Sequence, residues 1–366
     1  MPNHPHPALP RRVEALDAFR GLAAFYIFFH HFGHFYLSAR YPVLDRFLLF
    51  GQTAVLGFFV VSGFAIHYGS LGGNPDETFI PYFIRRFRRI YPLYLISIVS
   101  AFVCAAIAAG RLPTTSPREL LGSLFMLQSF NKGGWTGAAF GNFPTWSLGL
   151  EWYFYLAYYP LARFFRERPR AVQLAVTTAA LIGLAIHKNH PNPVSLIAMF
   201  FPVWWSGVEL AREFLAKGRI TLRAQALSLV LLLLVALFWR ALIARAPTSG
   251  PWDFPLYEFR QLSTAFFVLL AFVLACRFWP NLLRRKFTVL SAAGSLCYGI
   301  YIFHIPIILA LPRVPQPSAA YFFVAFPATL LLAYTCEILL QPRINRLLAV
   351  PKTAPSLPEV QIPVNA

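Results

Sequence analysis

The chain has 366 residues, of which 57% are hydrophobic and 13% are charged, against about 25% charged residues in an ordinary soluble domain. This composition excludes a disordered chain, a collagen-like rod and a small disulfide scaffold, and it argues against a soluble enzyme because too few polar residues remain to cover its surface. The net charge of +18 suggests an anionic membrane face or an anionic ligand, and the apolar background makes nucleic acid the weakest of the possible partners.

Ten apolar stretches approach the length of about 20 residues that a membrane-spanning helix needs. Turn signals or charge clusters separate them, as at residues 72–76 and 188–193. The sequence therefore predicts an all-α fold, a polytopic membrane helix bundle of about ten transmembrane helices. The stretches run approximately over residues 17–38, 48–69, 90–110, 144–164, 171–187, 193–213, 222–243, 261–277, 288–311 and 318–340.

Basic residues cluster in alternate connections between these spans. Each even-numbered connection and the C-terminal tail carry at least three Lys or Arg, the bias expected of cytoplasmic segments. We therefore predict that both termini are cytoplasmic. The expected organisation is a cytoplasmic N-terminal tail (1–16), a membrane domain (17–340) and a cytoplasmic C-terminal tail (341–366).

The longest connection, residues 110–143, is extracytoplasmic on this topology. Loops of this length often have a function, and the glycines between residues 133 and 141 would let it fold over the membrane face as a lid. A passive connector is the alternative interpretation.

Ionisable side chains at membrane depth are costly and usually mark a functional site. At about 100° per residue, Asp17, Arg20, His31 and His34 of the first span share one stripe, whereas His30 lies to the side. A rise of about 16 Å separates Arg20 from His31, which places His31 beyond the middle of the membrane. We predict a functional role for His31, with a structural core histidine as the alternative.

Four arginines, Arg85, Arg86, Arg88 and Arg89, precede the third span. One interpretation is a topogenic signal that faces lipid phosphates. The other is a phosphate site, because Arg86 and Arg89 are neighbours on a helix and two guanidinium groups suit a phosphate. The sequence leaves both interpretations open.

Glu151 is the one carboxylate well inside a span, and it shares a helix face with Ser147 and Tyr155. A carboxylate at this depth needs a cationic or hydrogen-bonding partner, and Arg20 or a histidine of the first span is the natural candidate. Glu151 is expected either to orient a histidine base or to form a structural ion pair with arginine.

The ninth span contains Ser295, Tyr298, Tyr301 and His304. On one helix Ser295, Tyr298 and His304 point in different directions, so a single site that uses all three is not expected. Core hydrogen bonding is the favoured role for most of them.

The four cysteines lie inside apolar stretches and form no C-x-x-C pair. They are interpreted as small buried hydrophobic residues. No metal site is expected.

Together these motifs resemble the acyltransferase-3 family of integral membrane acyltransferases. The resemblance covers nearly the whole chain, from about residue 16 to 340, and consists of five motifs in order. They are Arg20 and, after ten residues, His31; residues 57–64 with Ser62; Arg86 and Arg89 before Pro92; Trp146, Ser147, Leu148 and Glu151; and Ser295 with Tyr298 or Tyr301, then His304 and Pro306.

The resemblance implies transfer of an acyl group, commonly acetyl, from cytoplasmic acyl-CoA. The implied acceptor is a hydroxyl of a carbohydrate or glycolipid, as in an exopolysaccharide or lipopolysaccharide. It also implies a multi-pass protein in the lipid bilayer of a bacterial inner membrane, with other glycan-assembly proteins as further partners.

On this hypothesis His31 is the general base, and Arg20 and Glu151 complete the catalytic set. Arg85, Arg86 and Arg89 are expected to bind the donor phosphates. The expected substrate-binding residues are Ser62, Ser147, Trp146, Tyr298 and His34.

Two alternatives belong to other classes of protein. A polytopic transporter or exporter would use the same polar stripe as a proton or substrate path, although no internal repeat is visible. A non-catalytic membrane scaffold would leave the stripe unexplained. Only the enzyme would consume acyl-CoA.

Overall fold

The computed structural model describes residues 9–10, 12–38, 40–71, 76–129, 136–246, 254–312 and 319–348. Within these ranges the chain is helical and forms no β-strand. The α-helices are α1 (Glu14–Tyr36), α2 (Pro42–Leu48), α3 (Gly51–Tyr68), α4 (Phe79–Ala109), α5 (Pro117–Leu124), α6 (Trp146–Phe164), α7 (Pro169–Asn189), α8 (Pro193–Lys217), α9 (Leu222–Leu242), α10 (Leu256–Phe278), α11 (Thr288–Gly294), α12 (Cys297–Ala310), α13 (Phe322–Tyr334) and α14 (Gln341–Leu347).

The predicted all-α fold is confirmed, and each predicted span overlaps at least one helix. Two spans differ from the prediction in shape. Helix α4 begins at Phe79 rather than near residue 90, so the arginine cluster is part of the helix. The ninth span is broken, because α11 and α12 meet at 52°.

Seven helices in the described ranges are long and apolar enough to cross a membrane, and an eighth qualifies if the bent pair of α11 and α12 counts as one span. The long helices α1 and α6 fall outside this set. Their polar residues explain why: α1 carries Arg20 and three histidines, and α6 carries Glu151 and four tyrosines. The count of ten spans and the cytoplasmic placement of both termini therefore stay predictions.

Helices α3 and α8 cross at backbone contact distance. A methyl group added at Gly63 would overlap the carbonyl oxygen of Trp204, and one added at Gly207 would overlap that of Val60. Small residues allow such close crossings of membrane helices. The crossing brings the Trp204 side chain from α8 to α3, where its indole Nε1 donates a hydrogen bond to Ser62 Oγ at 3.2 Å.

A second close contact joins α1 to α11. A methyl group at Gly21 would overlap Ala293, and one at Gly294 would overlap the carbonyl oxygen of Asp17. Because α12 follows directly after α11, this contact sets the start of α12 beside the middle of α1.

The connection 110–143 folds back onto the bundle over its described part. The Tyr94 hydroxyl of α4 donates a hydrogen bond to the Ser123 carbonyl at 2.8 Å, and the Asn142 amide donates one to the Ile302 carbonyl of α12 at 3.0 Å. Residues 130–135, which include Gly133 and Gly134 of the predicted glycine-rich segment, lie outside the described residues.

The crossing of α3 and α8 leads to a stability prediction. Replacing Gly207 with Ala should lower the melting temperature of the detergent-purified protein by about 5 °C or more, because the methyl group forces two backbones apart. A thermal-shift measurement checks this. Gly137→Ala is the matched control, since its nearest neighbour lies at ordinary contact distance, 3.5 Å away. Equal melting temperatures for the two variants would contradict the proposed role of the crossing.

Candidate active site

A narrow cavity lies between α1, α3, α6 and α12. It contains the arginine of α1 and the carboxylate of α6 that the sequence singled out, together with hydroxyl groups from α3, α6 and α12. Its lining residues are Arg20, Phe58, Phe59, Ser62, Ser147, Leu148, Glu151, Cys297, Tyr298 and Tyr301.

Glu151 is held by hydroxyl groups at this cavity. Its Oε1 atom accepts hydrogen bonds from the hydroxyls of Ser62 and Tyr155, and those two hydroxyls are 2.9 Å apart. No hydrogen bond joins Glu151 to His31 among the described residues, so the expectation that Glu151 orients His31 is not met. The carboxylate instead ties α6 to α3.

Two tyrosines of α12 are fixed by backbone carbonyls. The Tyr301 hydroxyl donates to the Pro144 carbonyl at 2.7 Å and lies 2.6 Å from the Ser147 hydroxyl. The Tyr298 hydroxyl donates to the Ile90 carbonyl of α4 at 2.8 Å. Both rings are therefore rigid walls of the cavity.

His31 is paired with a histidine from another helix. Its Nδ1 atom is 3.1 Å from the Ile27 carbonyl oxygen and 3.0 Å from Nε2 of His304. The rings of His304 and Tyr301 are 6.0 Å apart, so Tyr301 links the cavity to the histidine pair. Projection onto single helices missed this pair because its members lie on α1 and α12.

Pro306 explains how the connection 110–143 reaches the histidine pair. Proline has no N–H, so the Ile302 carbonyl lacks its usual helical partner four residues later. The Asn142 amide fills that place. The next residue, Phe143, then packs on His31 with 5.3 Å between the ring centres, so the connection covers the histidine.

Two of the predicted substrate-binding residues lie outside the cavity. The His34 side chain is exposed, and Trp146 is buried against Phe59 and Phe200. His34 therefore lies on the exposed side of α1, although α11 and α12 pack along this helix from Asp17 to Tyr36.

The arginine cluster is also divided, which corrects the expected convergence of Arg86 and Arg89 on one phosphate. Arg85 forms an ion pair with the buried Glu77. Arg89 forms a two-pronged ion pair with Glu337, which lies in the π-helical segment Thr335–Leu340 between α13 and α14. Both arginines therefore have carboxylate partners within the protein.

Arg86 is different from its two neighbours. Its guanidinium lies over the Tyr82 ring at 5.4 Å, and no ion pair to a carboxylate is found for it among the described residues. Its Nε atom is buried and has no hydrogen-bond partner in the described part of the chain. The Tyr82 hydroxyl donates to the Tyr155 carbonyl at 2.9 Å, which places Arg86 close to the Glu151 network.

Within the described ranges, no three His, Cys, Asp or Glu side chains gather closely enough to hold a metal ion. Cys297 is a free thiol in the cavity wall.

The model of the acyltransferase-3 family, described as an acyltransferase domain, matches residues 13–338. The chain belongs to this family. Membership of an acyltransferase family supports the enzyme interpretation over the transporter interpretation. The protein is a multi-pass membrane O-acyltransferase.

Two curated relatives have bacterial sources. The chain is 31% identical over 169 residues to Acyltransferase MdmB of Streptomyces mycarofaciens, a match that covers 44% of this chain and 43% of that protein. It is 28% identical over 279 residues to Nodulation protein 10 of Rhizobium leguminosarum bv. viciae, covering 70% of this chain and 72% of that protein. No solved structure matches.

The Arg89–Glu337 pair leads to a prediction about stability. Glu337 is almost fully buried, with 1% of its side chain exposed, so Arg89→Gln should leave an unpaired buried carboxylate and cost about 2 kcal/mol or more. The double variant Arg89→Gln with Glu337→Gln should regain most of that loss, because two amides can still hydrogen-bond. Denaturant titration in detergent measures both. A double variant no more stable than Arg89→Gln would show that the pair is not what holds α4 to this segment.

Proposed function

We propose that the protein transfers an acyl group, acetyl first among the candidates, from cytoplasmic acyl-CoA to a hydroxyl of a carbohydrate or glycolipid acceptor. His31 is the general base. The main support is the contact between His31 Nδ1 and the Ile27 carbonyl at 3.1 Å. A carbonyl only accepts hydrogen bonds, so Nδ1 carries the proton of the neutral ring and Nε2 is the basic atom.

The base atom is available for an acceptor. Nε2 of His31 has no hydrogen-bond partner among the described residues, and the side chain is partly buried. In the proposed reaction Nε2 takes the proton of the acceptor hydroxyl while that oxygen attacks the thioester carbonyl carbon. Collapse of the tetrahedral intermediate breaks the carbon–sulfur bond, and His31 returns the proton to the thiolate of CoA. A covalent acyl-histidine is the variant of this mechanism.

Arg20 is proposed to bind the acyl donor on the cytoplasmic side of His31, since a rise of about 16 Å separates the two residues along α1. It lines the cavity together with Glu151 and Ser62, and its guanidinium group suits an anionic part of the donor. Glu151 acts indirectly, since its hydrogen bonds with Ser62 and Tyr155 set the shape of the cavity. Ser147 and Tyr298 form the wall against which the acyl thioester would lie.

The donor is proposed to enter from the side of α4 that carries the arginines. Arg86 suits a donor phosphate because it keeps a buried, unpartnered Nε donor, whereas Arg85 and Arg89 are engaged by Glu77 and Glu337. A guanidinium group binds a phosphate through charge-assisted hydrogen bonds.

The proposed setting is the inner membrane of a bacterium, with both chain termini in the cytoplasm. The biased placement of basic residues and the bacterial sources of both relatives support it. On this topology the acceptor, a cell-surface or exported glycan, approaches from the opposite face beneath the connection 110–143. Other glycan-assembly proteins would deliver it.

The first test removes the base. His31→Gln should lower kcat by about 10²- to 10⁴-fold, because proton transfer from the acceptor hydroxyl loses its catalyst. The assay measures label transferred from radioactive acetyl-CoA into an alkali-labile ester in the carbohydrate fraction of membranes. His190→Gln, at the exposed end of α7, is the control and should keep full activity. Wild-type activity in His31→Gln would remove His31 from the mechanism.

The second test concerns the donor site. Arg86→Ala should raise the KM for acetyl-CoA about tenfold, with a smaller effect on kcat, because one charge-assisted contact to phosphate is lost. Arg88→Ala is the matched control, since Arg88 belongs to the same cluster and contacts the Asn345 carbonyl. Equal KM values for the two variants would favour the topogenic interpretation of the cluster.

A further inference from the structure

We propose that His304 is a positioning residue for His31. It accepts the hydrogen bond from the Nδ1–H group of His31, keeps Nε2 of His31 as the basic atom, and stabilises the imidazolium that forms during acyl transfer. The inference rests on the proposed function, because it gives His304 a role only if His31 is the base.

Two backbone carbonyls determine which nitrogen of His304 carries the proton. Nδ1 of His304 lies 2.8 Å from the Tyr301 carbonyl oxygen and 3.1 Å from that of Ile300. Both partners only accept hydrogen bonds, so Nδ1 must be the donor. Nε2 of the neutral ring then has a lone pair and no proton.

The contact between the two rings therefore has one direction. Nε2 of His304 is 3.0 Å from Nδ1 of His31, and with His304 as the acceptor the hydrogen belongs to His31. The reverse arrangement requires a positively charged His304. That residue is fully buried, with 0% exposure, and its neighbour His31 offers no negative charge to balance it.

His304 is better suited to this task than the other acceptor near His31. The Ile27 carbonyl is the normal partner of the backbone N–H of residue 31 in helix α1, so this carbonyl already accepts one hydrogen bond. The Nε2 lone pair of His304 has no other described partner. It is also more basic than a carbonyl oxygen and shares a proton with an imidazolium more effectively.

The proton balance follows from these assignments. The hydroxyl proton of the acceptor moves to Nε2 of His31 and leaves again on the sulfur of CoA. The second proton stays in the hydrogen bond between Nδ1 of His31 and Nε2 of His304. In this arrangement a neutral histidine orients the base, a role that a carboxylate has in other enzymes.

Three substitutions at one position separate the role of the acceptor atom from that of packing. His304→Gln can place an amide oxygen near the position of Nε2. His304→Asn can keep a donor for the Tyr301 carbonyl but has no atom at the Nε2 position. His304→Met fills the space without a strong acceptor.

Acyl transfer from acetyl-CoA is measured for the full-length protein in membranes. His304→Asn and His304→Met should lower kcat about tenfold to a hundredfold, with the KM for acetyl-CoA within twofold of the wild-type value. His304→Gln should recover at least about fivefold in kcat over them. Equal kcat values for Gln and Asn, or a kcat within twofold of wild type for Asn, would overturn the inference. The Asn variant keeps the test valid even if Met does not fold.

His31→Gln, measured in parallel, separates this inference from the proposed function. An inactive His31→Gln beside fully active His304 variants would overturn only the role of His304, whereas an active His31→Gln would overturn both. NMR of protein labelled at histidine adds a readout independent of activity. The signals lost in His304→Gln should be those of a ring protonated at Nδ1 and unprotonated at Nε2, and a ring protonated at Nε2 would contradict the assignment.

Discussion

A carboxyl group inside a membrane protein must find its partners within the bundle, and the arrangement of this site depends on how Glu151 does so. Hydrocarbon offers no hydrogen bonds, so an unpaired polar group there costs several kcal/mol. Glu151 meets the requirement with the hydroxyls of Ser62 and Tyr155, and Trp204 reaches the same serine from α8. Helices α3, α6 and α8 are thereby joined at one side of the cavity. The close crossing of α3 and α8 at Gly207 is what allows the indole to reach so far.

The need of a buried charge for a partner within the protein also divides the arginines of α4 into two groups. Arg85 and Arg89 each meet a buried carboxylate, from the segment before α4 and from the segment after α13. The Arg89–Glu337 pair connects distant parts of the chain, and both pairs neutralise charge that the bilayer would reject. Arg86 has an aromatic ring beneath it and no described carboxylate partner. Two of the four arginines in the cluster thus have a structural role, and Arg86 is the member that we propose for an anionic ligand.

The helices that line the cavity differ from ordinary membrane-spanning helices in composition or in shape. The seven helices that are long and apolar enough to cross a membrane mainly surround the helices of the site. The cavity is lined by α1, α6 and α12, together with α3. Helices α1 and α6 do not belong to these seven because they carry polar side chains, and α12 belongs to the bent pair. Functional polar groups lower the hydropathy of the helices that carry them, and close packing against neighbours compensates for the loss of lipid affinity.

The sequence by itself determined the all-α membrane fold and the approximate position of the long helices, and it singled out Arg20, His31 and Glu151 as ionisable residues inside apolar stretches. These features are local: they depend on composition over about 20 residues and on spacing along one helix. Only the tertiary structure decided which residues meet. It paired His31 with His304 rather than with Glu151, and it separated His34 and Trp146 from the cavity. Contacts between helices depend on crossing points and on the break between α11 and α12, and neither is encoded in the periodicity of a single helix.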